Sequence, residues 1–357
     1  MAKALEKQHL TERVGGTVRH VTIGEDFVGV RLDKFLAKQF PEVPRSRLFR
    51  IVRKGEVRIN GGRAQIDQRL EAGDDVRLPP VRAEVPLEQA AGRTGDVAAP
   101  TARTLAVARV PRLLQQAVQD AIVQEDERLI VVNKPAGIAV HGGSGVSFGV
   151  IEALRAARPG EADSLELVHR LDRDTSGVLL VARKPAVLRM LHARLREGHE
   201  FEKRYLALVK GSWQLGQKRI DAPLRTDLRV GGERTVRVQA GGKASISEFR
   251  PVQFFGNRAT LIEVGILTGR THQIRVHAAY AGHPVAGDDK YGDRDFNAEL
   301  QTLGLKRMFL HASSLSFTWP DRGTEFSVNA PLPADLGAVI DALVATAPKG
   351  RRGSRRR

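Results

Sequence analysis

The sequence predicts an α+β protein in two units: a small basic module of helices and a hairpin, then a larger domain on a mixed sheet. Three observations carry that expectation. Residues 27–82 hold thirteen Lys and Arg against seven acids, and their apolar spacing switches from helical to extended. Residues 83–116 lose all periodicity and fill with Pro, Gly and Ala, as in GRTGDVAAPTAR, which reads as a linker. From 117 to 347, strand-like runs recur with irregular connections and few β-α-β repeats, which favours α+β over a parallel α/β sheet. Residues 1–26 read as an N-terminal extension. The tail 348–357, with six Lys or Arg in the nine residues from Lys349, is expected to be disordered.

Each element of the small module has its own signal. Leu32, Phe35, Leu36 and Phe40 fall at helical spacing, and Pro41 ends that helix. Ser46 suits the N-cap of a second helix that turns Leu48, Ile51 and Val52 inward and stops at Gly55. Val57–Asn60 and Arg63–Ile66 read as strands about a tight turn at Gly61-Gly62. A further turn at Gly73-Asp74 leads into a short strand ending at Leu78. In the large domain, LIVVNKP, GVLLVARK, YLALVKG, ATLIEVGIL and FLHASSLSF read as strands. The clearest helix is Leu188–Leu195, with Pro185 in its first turn.

Composition excludes several chemistries. The chain has 357 residues and no cysteine, which removes disulfides, Cys-ligated zinc, iron–sulfur clusters and thiol nucleophiles together. The first sixteen residues lack the apolar core of a secretory signal, and no run reaches the ~18–20 apolar residues of a membrane span. These features fit a cytoplasmic protein. The net charge of +16 favours a polyanionic partner, either nucleic acid or an anionic membrane surface. Gly241-Gly242-Lys243 is followed by Ala244 and is no phosphate loop, and neither GxSxG nor HExxH occurs. His272 and His277, five apart, fall on different faces of a helix and read as packing or hydrogen-bonding groups rather than metal ligands.

The informative segment is His169-Arg170-Leu171-Asp172-Arg173-Asp174-Thr175-Ser176-Gly177, which opens onto the buried run VLLVA. A polar loop with two carboxylates at the edge of a buried strand is a plausible site. In an extended loop Asp172 and Asp174 could face one side and bind a metal. Alternatively, one is catalytic while the other caps a turn, or both belong to surface ion pairs.

HRLDRDTSG resembles the signature loop of the RluA-type pseudouridine synthases. Two further blocks match that family in order, EKRYLAL from Glu202 and LTGRTHQIRVH from Leu267. NKPAG (133–137), GHPVAGDDKYGD (282–293) and LHA (310–312) fit as well. RLDKFLAKQF, RSRLFRIVRKGEVRIN and LEAGDDVRL resemble the S4 RNA-binding module, which assigns 27–82 to it. KGEVRIN and AVHGGSGVSFGVIEALRAARP are most similar to the C class of the family, which modifies large-subunit ribosomal RNA.

The resemblance implies a pseudouridine synthase domain with a largely antiparallel sheet and a central cleft, and no metal or organic cofactor. It implies Asp172 as the catalytic carboxylate, Arg275 as its guanidinium partner and Tyr205 as the ring that stacks on uracil. Arg170 would fill the space left by the flipped nucleotide, and Arg270 would contact RNA. The module's outward cations Arg45, Arg47, Arg50, Arg53, Lys54 and Arg58 would grip phosphates. The implied partner is large-subunit ribosomal RNA, free or in a precursor subunit particle, with no membrane role; no exposed heptad or apolar helix face suggests a partner copy, so a monomer is expected. Two alternatives stand beside this: a D-class-like enzyme acting on another large-subunit stem-loop, and a non-catalytic assembly factor.

Overall fold

The computed structural model describes residues 18–24, 27–40, 43, 45–81, 110–142, 146–197, 201–228 and 234–346, without the side chains of 45, 46, 197, 228 and 234. The chain divides into two compact units, Met1–Arg109 and Val110–Arg357.

In the small unit, α1 (Leu32–Gln39) and α2 (Arg45–Arg53) pack on strands β1 (Arg19–Thr22), β2 (Arg58–Ile59), β3 (Gly62–Arg63) and β4 (Asp75–Leu78), in the order β1-β4-β2-β3. The helix periodicity puts Leu32, Phe35, Leu36, Leu48, Ile51 and Val52 into one core with Val57, Val76 and Leu78. Phe27 meets Phe35 edge to face at 5.2 Å, a favoured aromatic geometry. Two expectations are corrected. The hairpin turns at Asn60-Gly61 rather than Gly61-Gly62, because both residues take positive φ (50° and 74°) and Ile59 pairs with Gly62. The unit also starts earlier than residue 27: Arg19–Thr22 pairs with Asp75–Leu78 and supplies an edge strand.

The large unit opens with α3 (Arg112–Asp120), a helix that begins within the stretch 83–116 expected to be linker and runs past its end. Its Val118 is fully buried. Then follow β5 (Ile122–Glu125), β6 (Leu129–Lys134), α4 (Val150–Ala157), β7 (Glu166–Leu167), β8 (Ser176–Ala182), α5 (Pro185–Glu197) and β9 (Phe201–Lys210). Next come β10 (Lys218–Asp221), β11 (Leu224–Leu228), β12 (Arg234–Val238), β13 (Ile246–Phe255), β14 (Ala259–Ile266) and α6 (Gln273–Tyr280). The described chain ends with α7 (Arg294–Thr302), β15 (Leu310–Thr318), β16 (Glu325–Asn329) and α8 (Ala334–Ala345).

Ten strands form one sheet, with the main path β10-β13-β14-β9-β15-β8-β6-β5. Only β8 and β15 pair in parallel, so the sheet is mixed and largely antiparallel. The apolar runs of β6 and β8 are buried on both faces. Ile130, Val132, Leu179 and Val181 join a core with Val118 and Leu154, while Leu129, Val131, Val178 and Leu180 face Val187 and Leu191 of α5. One rung crosses the middle of the sheet, Val264–Tyr205–Ala312–Gly177–Lys134. Gly177 is required there. A Cβ at that position would lie 2.1 Å from the Ala312 carbonyl oxygen, so the aspartate loop can enter the sheet only through a glycine. Among the described residues, no helix is long and apolar enough to cross a membrane.

Candidate active site

The site forms where the loop before β8 meets β9 and the N-terminal end of α6. Arg170, Leu171, Asp172, Thr175, Tyr205, Ile266, Leu310 and the segment Gly269–Arg275 line one cleft. Three residues from separate blocks of sequence thus converge. The rung explains how: Tyr205 sits two strands from Gly177, five residues after Asp172.

The loop is fastened at both ends. At its start the amide of Leu180 donates to His169 Nε2 (3.1 Å). Burial, with Lys203 nearby, pulls the His169 pKa down to about 3, so the ring stays a neutral acceptor. At its end Ser176 Oγ meets His311 Nδ1 at 2.9 Å and receives a bond from Arg307 (3.2 Å), itself paired with Asp335. Lys134 holds the middle. Its fully buried ammonium donates to the carbonyls of Pro135, Ile138 and Arg173 at 2.8, 2.8 and 2.9 Å. Burial lowers its pKa to about 7 against the opposing pull of Asp174 and Asp172. The NKPAG turn and the aspartate loop are therefore one clamped piece.

Arg275 projects from α6 between two carboxylates. Its Nε and Nη2 donate to the two oxygens of Asp288 (2.7 and 2.8 Å), leaving Nη1 3.5 Å from Asp172 Oδ2. The Asp288 carboxyl has no exposed surface and also accepts the amides of Lys290 and Tyr291. Burial alone would raise its pKa, but the Arg275 bonds and the two amides outweigh that and hold it below the usual carboxylate range. The Tyr205 hydroxyl is buried on β9, and burial, then the charge of Asp172, push its pKa up, so the phenol keeps its proton.

Gln273 fixes the segment before α6. Its side-chain oxygen accepts from Thr268 Oγ1 and the Arg270 amide, while its nitrogen donates to the Ile246 carbonyl and Ser247 Oγ. His272 caps the helix in the left-handed region (φ 54°), with Nδ1 2.8 Å from the Tyr291 hydroxyl. His277 lies inside the helix, buried, bonded to Ser247 Oγ and the Ala222 carbonyl. It has the structural role expected, whereas His272 faces the cleft.

Of the other sequence-predicted residues, Arg170 and Arg270 are exposed at the cleft, with Arg270 Nε donating to the Ala244 carbonyl. Asp174 pairs with its neighbour Arg173 at 3.1 Å on the rim. Among the described residues, no group of three or more His, Asp or Glu is placed to hold a metal ion. In the small unit, Arg50, Arg53, Lys54 and Arg58 are exposed and Arg47 is half-buried, while the Arg45 side chain lies outside the described residues. Sequence reasoning assigned no role to Lys134, Asp288 or Tyr291, although NKPAG and GHPVAGDDKYGD contain them.

A cleft carboxylate paired with a buried arginine on a mixed sheet, in a chain that also carries a small basic module, fits an enzyme that acts on nucleic acid. The family model for RNA pseudouridylate synthases matches residues 128–280, and that for S4 domains matches 30–76. The chain belongs to the RNA pseudouridylate synthase family and is an isomerase with an S4 domain. It is 49% identical over 329 residues to "Ribosomal large subunit pseudouridine synthase C" of Salmonella typhi and of Escherichia coli (strain K12), covering 92% of this chain and 97% of each relative. The Yersinia pestis protein of the same description is 50% identical over 327 residues, covering 91% of this chain and 96% of that protein. Among solved structures, "Human RNA Pseudouridylate Synthase Domain Containing 4" shares the fold. It has a TM-score of 0.53 and 23% identity, over 65% of this chain and 96% of that one.

Proposed function

We propose that this protein isomerises uridine to pseudouridine in 23S large-subunit ribosomal RNA, at several sites including the peptidyl-transferase region, with Asp172 as the catalytic carboxylate. The observation that carries the residue assignment is the Arg275–Asp172 approach at 3.5 Å in a cleft shared with Tyr205. The substrate rests on the descriptions of the relatives.

The reaction breaks the C1′–N1 bond, turns the freed uracil and joins C5 to C1′. C5 loses a proton and N1 gains one, with no net redox change, so a carboxylate and a base pocket suffice. Asp172 either attacks C1′ as a nucleophile or removes the C2′ proton to form a glycal. Arg275, held by Asp288, keeps a positive charge 3.5 Å from that carboxylate. Tyr205, kept protonated, offers a ring on which the loose uracil can stack.

The target nucleotide must leave its stack to reach this cleft, and exposed Arg170 is suited to fill the gap. Arg270 and the cations Arg45, Arg47, Arg50, Arg53, Lys54 and Arg58 bind phosphate without reading sequence. Domain limits of 27–82 for the RNA-gripping module, extended by β1, and 117–347 for catalysis, extended by α3, follow the same reading. The protein works in the cytoplasm as a monomer, on free RNA or a precursor subunit.

The test is carbodiimide mapping of 23S pseudouridines in a strain lacking the protein and in one complemented with it. The expected result is loss of specific pseudouridines and their return on complementation. An unchanged pattern would support the non-catalytic assembly factor instead.

A further inference from the structure

His272 is the one cleft residue whose backbone is in a conformation its side chain does not favour. Its φ of 54° and ψ of 21° are left-handed, in a residue with a Cβ, at the first turn of α6. Such positions persist where the surroundings over-determine them, and they cluster at functional sites. The surroundings here are specific. The Tyr291 hydroxyl accepts the amide hydrogen of Val236 (2.9 Å) and lies 2.8 Å from His272 Nδ1. Among the described residues the Tyr291 hydroxyl has no other acceptor, so both groups are satisfied when the phenol donates to Nδ1 and Nε2 carries the ring hydrogen. Burial, helped by Arg275, lowers the pKa of His272 against the pull of Asp172 and keeps the ring neutral. The result is a single fixed donor, Nε2–H, 3.9 Å from Asp172 Oδ2.

That distance is too long for a hydrogen bond and leaves the donor free toward the cleft. His272 and Asp172 side chains are 16% and 18% exposed, so the donor meets little solvent. In the reaction proposed above, Asp172 lies against C1′ and C2′ of the target. The oxygen on C2′ is one bond further out, and a donor beside the carboxylate is placed to meet it.

We propose that His272 recognises the ribose 2′-hydroxyl of the target uridine through Nε2–H, making it the residue that selects a ribonucleotide over a deoxyribonucleotide at this site. Tyr291 is a positioning residue that sets the tautomer. The proposal rests on the isomerase reading with Asp172 against the sugar.

The experiment uses the full-length protein and synthetic strands spanning one mapped target, with uridine or 2′-deoxyuridine at that single position. Single-turnover pseudouridine formation is measured at saturating strand for the wild type, His272→Asn and Tyr291→Phe. Asparagine tolerates left-handed backbone but cannot place a donor where Nε2 lies, and circular dichroism checks that each variant is folded. One neutral hydrogen bond corresponds to about a tenfold effect. The wild type is expected to slow about tenfold or more on the deoxy target. His272→Asn should lose about as much on the ribose target and lose little further on the deoxy target, the non-additivity that marks a shared interaction. Tyr291→Phe should fall between. Fully additive losses, with His272→Asn still discriminating as the wild type does, would overturn the assignment while leaving the isomerase reading intact. No product from the wild type on the all-ribose strand would overturn both.

Discussion

In the small unit the outward cations of α2 and the hairpin stand in solvent over an apolar core, whereas in the large unit Lys134, which holds the Asp172 loop, and Arg275, which faces Asp172, are buried and committed to partners. Arg50, Arg53, Lys54 and Arg58 are exposed on and after α2 and on the hairpin, over a hydrophobic core. Lys134 and Arg275 are the reverse, the first fully buried and the second 12% exposed, each with its donors assigned. Exposed cations attract phosphate through a long-range, salt-sensitive field. Buried ones are costly to desolvate and are retained where geometry matters. Under the proposed function the same residue types serve delivery in one unit and positioning in the other.

Substitutions can break that contrast, beginning where the effect is largest. Asp172→Asn should lower single-turnover pseudouridine formation at least about a thousandfold, because no other carboxylate among the described residues lines the cleft. Retention of activity would remove the proposed chemistry. Asp288→Ala should be next: it strands a buried guanidinium, at a cost of about 3 kcal/mol in urea unfolding, and removes the two bonds that aim Arg275 at Asp172. Lys134→Met leaves three carbonyls without their donor and should cost about 2 kcal/mol, the missing bonds being partly offset by removing a buried charge. Its activity should fall more than its RNA affinity.

His169 supplies a pH test. Its folded pKa, about 3, lies below the unfolded value, so the unfolded chain binds the extra proton between those limits. The stability it contributes is complete above the unfolded pKa of ~6.5 and falls as pH drops toward 3. His169→Gln should flatten the stability difference between pH 7 and pH 5 by on the order of 1 kcal/mol. The smallest effect belongs to the exposed pair Arg250–Glu263, where the arginine is 60% exposed. Arg250→Ala should change unfolding stability by less than about 0.5 kcal/mol after screening.

Much of this arrangement was legible in the sequence, for reasons that differ by element. Continuous apolar runs located β6, β8 and β14, since a strand buried on both faces has few polar residues to interrupt it. The edge strand Arg19–Thr22 carried no such run, because three of its four residues are exposed. The helix Arg112–Asp120 is amphipathic, but it directly follows a stretch without periodicity and its first turns were absorbed into that linker. Asn60-Gly61 was a readable turn dipeptide, overshadowed by the glycine pair beside it. Asp172, Tyr205 and Arg275 came from motif resemblance, and their spacing in the chain says nothing of their convergence. Lys134, Asp288 and the His272–Tyr291 pair were beyond reach for a plainer reason. Nothing about a lysine or an aspartate in a polar stretch announces that it is buried, nor does a tyrosine there announce that its hydroxyl meets a histidine on another element.

The division of labour between the units is tested most directly on one variant, Arg50→Ala/Arg53→Ala/Lys54→Ala. Its RNA affinity across a salt series and its single-turnover rate at saturating RNA are measured on the same preparation. The account predicts a salt dependence shallower by roughly 0.7–0.9 for each phosphate the variant no longer neutralises, with the saturated rate within about twofold of wild type. An unchanged slope, or a saturated rate that falls along with binding, would contradict it.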